Sequence, residues 1–245
     1  MEKEFSVPFI PLNQIYELVN FAKIADKEAR SDLFGGYIIS ENDYTSNFTG
    51  ALRRIINSNS QTGLIAQSRL LSHQEEGVTG CDAAIVIQSL DEIKVLLIEA
   101  KWPRLSIPQY KWDEKQTSTG LSHFSNQLHR QAVFSSRYAI VEMFYSEHAF
   151  GMQPTWMQPN GSACVWHIDA IAYDQTRPTA PGVWTQSELT SLLAKGTHDI
   201  GAVLEEVCWC RQGRPISLPN DRPVVSMDIP LPNNVLFISA DTIRE

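Results

Sequence analysis

The sequence predicts an α/β fold, and two patterns carry that expectation. Residues 82–90 and 94–101 are apolar runs rich in Ile, Val, Leu and Ala that flank the polar break Asp91-Glu92. Short apolar runs bounded by turn residues read as strands, so this stretch reads as a β-hairpin. Around it, residues 12–30, 41–58 and 121–135 repeat apolar positions at three and four, the spacing of helices with one buried face.

Taken in order, the first helix carries Ile15, Leu18, Val19, Phe21 and Ala22 on one side, and Phe34-Gly35-Gly36 ends it. It reads as a packing or dimerisation helix. Residues 37–39 form a short extended piece. The second helix has the stripe Phe48, Leu52, Ile55 and Ile56, with Ser40 or Asn42 as its cap. Residues 62–73 read as a strand, and Gly77 and Gly80 permit a tight turn into the hairpin. Trp102-Pro103 ends the hairpin's second strand, because Pro cannot extend a central ladder. In the loop 103–120, Tyr110 and Trp112 alternate with Lys111 and Lys115. Such a loop either follows a phosphate backbone and stacks on bases or is a solvated connection with two packed aromatics. The third helix repeats Leu121, Phe124, Leu128 and Ala132, and residues 137–145 follow as a core strand. Beyond 150, residues 164–174 read as a strand, 178–183 as a linker, and 188–193 and 199–210 as short helices before a Pro-rich tail that ends in the apolar stretch 234–239.

Composition narrows the class. The chain has 245 residues, 43% hydrophobic and 20% charged, which suits one α/β domain with additions or one large and one small unit. No apolar run approaches the roughly 20 residues that a membrane helix needs. The first residues, with acids and prolines in place of a basic and then apolar leader, read as cytoplasmic. Cys81, Cys164, Cys208 and Cys210 lack partners at zinc-site spacing and read as buried small residues. The net charge of −8 argues against a generic nucleic-acid binder. It does not exclude a nuclease, because phosphate contact depends on local charge and a bound cation offsets carboxylates.

Three charges close the hairpin. Residues i and i+2 of a strand share a face, so Glu99 and Lys101 point one way and Ala100 the other. With Asp91-Glu92 as the turn, Leu90 faces Ile93 and Asp82 faces Lys101, placing Asp82, Glu99 and Lys101 within mutual reach. Two carboxylates and an ammonium at the end of an apolar hairpin cost solvation unless something binds them.

An Asp followed by Glu-x-Lys at the end of the next strand resembles the PD-(D/E)XK nuclease superfamily. The residues here are Asp82, Glu99, Ala100 and Lys101, with Cys81 where the superfamily often has Pro. The resemblance implies a restriction-endonuclease-like core over about 41–150: a central mixed β-sheet flanked by helices, preceded by a helical segment over 1–40 and followed by an extension over 151–245. It implies Mg²⁺, with Mn²⁺ as a substitute, held by Asp82, Glu99, the Ala100 carbonyl and Glu41 on the first core helix. Glu76 is a rival for that last role, and electrostatic support of the helix start is the alternative for Glu41. Lys101 would orient the attacking water, and Gln127, preferred to Gln131, would brace the site. The implied activity is metal-dependent DNA endonuclease chemistry in restriction, phage defence or repair, with DNA and a homo-oligomeric or defence-system protein partner. The alternative is a silent module of that fold that binds nucleic acid or protein.

Overall fold

A computed structural model describes residues 7–70, 79–103, 112–145, 161–195, 198–218 and 230–240. Two helices come first, α1 (Leu12–Phe34) and α2 (Glu41–Asn59). Strands β1 (Ile65–Leu70), β2 (Ala83–Ser89) and β3 (Glu92–Lys101) follow, then α3 (His123–Ala132) and β4 (Ala139–Phe144). The remainder comprises β5 (Ala163–Trp166), α4 (His167–Asp174), α5 (Gln186–Leu193), α6 (Ile200–Cys208), β6 (Ile216–Ser217) and β7 (Asn234–Ser239). No described helix is long and apolar enough to cross a membrane.

The strands form one mixed, open sheet in the order β1-β7-β2-β3-β4-β5, with β6 added beside β3. The β2–β3, β1–β7 and β4–β5 pairs are antiparallel, while β7 runs parallel to β2 and β4 parallel to β3. Both faces are covered, which is why β2, β3 and β4 read as continuous apolar runs rather than as alternation. On one face Ile85, Ile87, Leu96, Ile98 and Val141 pack with Leu18, Phe48 and Leu52 of α1 and α2 and Val203 of α6. The opposite face holds two smaller clusters. Val86, Val95 and Ile140 pack near Ile216, and Phe144 and Val165 pack with Phe124, Leu128 and Leu189 of α3 and α5.

Several expectations shift. The hairpin turn is Leu90-Asp91, not Asp91-Glu92: Ser89 pairs with Glu92, and Ala83 with Ile98. Leu90 adopts a left-handed φ of 52°. The ladder is therefore displaced by two residues, and Asp82 comes opposite Glu99, not Lys101. A displacement of two preserves the face, so the three charges stay together. Residues 164–174 are a short strand that turns into helix at His167, not one strand. Its inner helical face is His167, Ala170 and Asp174, which carries no apolar signal. Residues 37–39 lie outside any strand. The cap of α2 is Ser40, whose Oγ accepts the Asp43 N–H at 3.1 Å.

Candidate functional site

The sheet brings four acidic side chains to one neighbourhood. Asp82 lies just before β2, its Oδ2 accepting the Ala100 N–H at 2.8 Å, and its own N–H bonds to the Ile98 carbonyl at 2.9 Å. This fixes the carboxylate against the end of β3. Glu99 and Lys101 follow on the same face, and Lys101 Nζ donates to Glu99 Oε1 at 2.5 Å. Glu41, the first residue of α2, reaches the same strand end. Its Oε1 accepts the Trp102 N–H at 2.8 Å, and its Oε2 lies 3.8 Å from Lys101 Nζ. The fourth acid, Glu142 of β4, sits directly beside Glu99 in the parallel ladder.

Burial sets the electrostatics. Glu99 and Glu142 are 1% and 0% exposed, and Lys101 is 8% exposed. Desolvation, reinforced by the Asp82 and Glu142 carboxylates, holds the Glu99 carboxyl well above its ordinary range against the opposing pull of Lys101. Desolvation likewise pushes Asp82 up to about 6, opposed by Lys101 and the Ala100 N–H. Burial alone would lower the Lys101 ammonium; Glu99, Glu41 and Asp82 overcome it and hold the proton on more firmly than usual. Glu142 is raised by burial and eased by His167, whose Nδ1 lies 3.1 Å from Glu142 Oε1. Among the described residues, the Lys101 ammonium thus stands beside more carboxylates than it alone can neutralise. Glu99 Oε2, Glu142 Oε2 and His167 Nε2 are buried with no hydrogen-bond partner among the described residues.

Glu41, Asp82 and Lys101 border a cavity of about 490 Å³ that Trp112, His123 and Gln127 also line, while Glu99, Glu142 and His167 lie behind them, outside its lining. α3 supplies His123 and Gln127. Its start is fixed by Ser122, whose Oγ accepts the Ser125 N–H at 2.9 Å, and by Asp113, which accepts the Phe124 N–H at 2.9 Å. Trp112 makes edge contacts with Phe124, Phe144 and Trp184, so the packed-aromatic reading holds for it. Burial, with Lys101 and Arg130 nearby, lowers the His123 imidazole below its ordinary value.

The predicted residues Glu41, Asp82, Glu99, Ala100 and Lys101 thus meet at one strand end. Gln127 lines the cavity, and the fully buried Gln131 donates Nε2 to the Gly80 carbonyl at 2.9 Å, one residue before Cys81; the Oε1 of each finds no partner among the described residues. Glu142, His167 and His123 were not anticipated. Glu142 carried a usable signal, a lone carboxylate inside the apolar run 139–144, of the same kind that singled out Glu99. Glu75, Glu76, Arg104, Tyr110 and Lys111 lie outside the described residues. Among the described residues, no three His, Cys, Asp or Glu side chains are grouped to hold a metal ion.

Compared with protein-family models, curated proteins and solved structures, the chain matches none.

Proposed function

We propose that this protein is a Mg²⁺-dependent DNA endonuclease of the PD-(D/E)XK type. The observation that carries the reading is the convergence of Asp82, Glu99 and Lys101 on one face beside Glu41, with Asp82, Lys101 and Glu41 at the wall of a cavity and Glu99 buried behind them. The donor chemistry fits a hard divalent cation. Mg²⁺ keeps several waters and takes one or two carboxylates plus substrate oxygens, so it needs no cage of three side chains. Asp82 and Glu99, with the Ala100 carbonyl, would hold it, and Glu41 stands where it adds charge. The excess of carboxylates over ammonium, and the partnerless Glu99 Oε2, are the features a cation would relieve.

When bound, such an ion supplies Lewis-acid stabilisation of phosphoryl oxygens and acidifies a coordinated water. The chain's own work is positional. The Ala100 N–H and the Trp102 N–H orient the Asp82 and Glu41 carboxylates. The buried Lys101, held protonated by its acidic neighbours, directs the attacking water and offsets negative charge that grows on the phosphoryl oxygens. Gln131 steadies the segment leading into Asp82 through the Gly80 carbonyl.

The test is nicking of plasmid DNA with Mg²⁺ or Mn²⁺. Cutting should stop in EDTA, and Lys101→Ala should cut about 10²–10³-fold more slowly while still binding DNA. Wild-type cutting that ignores EDTA, or full-rate cutting by Lys101→Ala, sinks the reading. A silent binding module is the second reading. The direct Lys101–Glu99 bond favours it, because it occupies one oxygen of a ligand. DNA binding with no cleavage under any divalent ion would select that reading.

A further inference from the structure

A second opening follows α2 beyond its first turn, and its chemistry is the reverse of the acid cavity's. It encloses about 750 Å³ and is lined by Ser46, Thr49, Arg53 and Asn57 of α2, Ser68 of β1 and Asn234 of β7, among others. No carboxylate stands in this lining, whereas Glu41, Asp82, Asp113 and Glu114 all line the acid cavity. Arg53 faces the groove, and a second guanidinium lies at its rim. Gly50 is also in the lining, and a Cβ added there would come within 3.3 Å of Arg54 Nη1. Neither arginine takes part in the salt bridges of the described residues. In a chain of net charge −8, two guanidiniums beside hydroxyls and amides, with no acid among them, suit an anionic ligand.

The groove meets the acid cavity at two points. Asn42 lines the cavity, and Ser46, Gly50, Arg53 and Asn57 follow it at the three- and four-residue spacing of one helix face. Across the sheet, Asn234 pairs in register with Ala83, the residue after Asp82. Thr49 Oγ1 donates to Asn234 Oδ1 at 3.3 Å and fastens helix to strand there. From Ser46 to Asn57 the helix rises about 16 Å, which matches about five nucleotides stacked at ~3.4 Å each. A lone phosphate would fill a small part of that length. We propose that this groove binds the sugar–phosphate backbone of the DNA strand that leaves the acid site, with Arg53 and Arg54 on its phosphates. The groove rests on the nuclease reading only for the strand's path toward Asp82 and Lys101. Such contacts fix the strand's position without reading its sequence.

The test is duplex binding by the full chain in EDTA, where cutting does not interfere, read by fluorescence anisotropy over a range of salt. The double variant Arg53→Gln/Arg54→Gln should bind about tenfold more weakly and lower the slope of log K against log salt by about 1.8, the loss of two phosphate contacts. Arg211→Gln/Arg214→Gln removes the same charge from the exposed segment ahead of β6 and should leave that slope unchanged. Circular dichroism confirms both folds. An unchanged slope in the first variant, an equal loss in the second, or no binding by the wild type at low salt overturns the groove and leaves the nuclease standing. Calorimetry with inorganic phosphate separates a strand from a small anion. Phosphate alone should not bind at millimolar concentration, and tight phosphate binding that Arg53→Gln/Arg54→Gln abolishes overturns the strand. Groove-dependent DNA binding with no cutting under any divalent ion overturns the nuclease and leaves the groove.

Discussion

Two buried charge clusters lie on the same side of the sheet and are built on opposite principles. In the first, Arg177 sits among α3, α4 and α5. Its guanidinium donates to Asp174 Oδ1 at 2.8 Å, Thr179 Oγ1 at 2.7 Å and Ser125 Oγ at 3.1 Å, and to the Gly182 carbonyl. It lies 4.8 Å over the Trp184 ring. Glu188 completes this cluster, accepting from Thr179 and Thr185 in a capping box at the start of α5. These hydrogen bonds outweigh burial and hold its carboxyl below the ordinary range. In the second cluster, around Lys101, Asp82, Glu99 and Glu142 are pushed up, and several polar atoms find no partner among the described residues. A cluster that stabilises a fold satisfies its atoms; on the proposed reading, the Lys101 cluster instead holds charge in reserve for chemistry. The difference teaches that burial of charge alone does not mark a site.

The largest effect that sharpens this contrast belongs to the satisfied cluster. Arg177→Met leaves Asp174 and Glu188 buried without their cation and should cost about 3–5 kcal/mol, lowering the thermal midpoint by roughly 10 °C at neutral pH. A midpoint within a degree or two of wild type would erase the distinction. Next comes Lys101→Met, which removes the cation from the crowded cluster. It should destabilise at pH 8 by about 1–3 kcal/mol and recover as the pH falls and the acids take up protons. Melting curves at both pH values in EDTA decide it.

The two clusters should also differ in the sign of their pH dependence. The Asp82 carboxyl is raised to about 6 in the fold. A raised acid contributes stability that is fully present below its unfolded value near 4 and is lost as pH rises through about 6. Asp82→Asn should therefore be more stable than wild type by about 1–3 kcal/mol at pH 8 and equal to it near pH 4. Glu188 is the reverse case. Its lowered carboxyl contributes stability present above its unfolded value near 4.3 and lost as pH falls through its folded one. Glu188→Gln should cost about 0.5–2 kcal/mol at pH 7, the worth of a helix cap, and approach wild type in strong acid. Chemical denaturation across the pH range reads both, and parallel pH slopes for the two variants would contradict the assignment. The smallest effect is the reference: Asp91→Ala, exposed in the hairpin turn, should stay within about 0.5 kcal/mol of wild type.

What the sequence made legible was local. The period of two placed Asp82, Glu99 and Lys101 on one face even though the register slipped, because a slip of two changes partners and not faces. The slip arose because exposed Leu90 takes a left-handed conformation that turn chemistry assigns to Gly or Asn. Helices α1, α2 and α3 were readable because each buries an apolar stripe. The site's second half was not readable for a non-local reason. Glu142 reaches Glu99 only through a parallel pairing across α3, and His167 reaches Glu142 only because β5 folds back beside β4. Preferring Gln127 to Gln131 followed from its nearness to Phe124 and Leu128, whereas the fully buried residue of the two is Gln131.

The position of β7 carries a consequence for how the protein comes into being. Among the described residues, β1 joins the sheet only through β7, and β7 pairs with β2 over residues as far apart in the chain as Ala83 and Asn234. On a ribosome, β1 emerges well before β7, its ladder partner, with the intervening strands and helices made between them. Until then β2 and β1 each present an open edge, the kind of exposed strand on which nascent chains aggregate. Such long-range pairing is slow to close, because loop entropy must be overcome before the contacts repay it. A message cut short before residue 234 would therefore release hairpin and helices without a finished sheet.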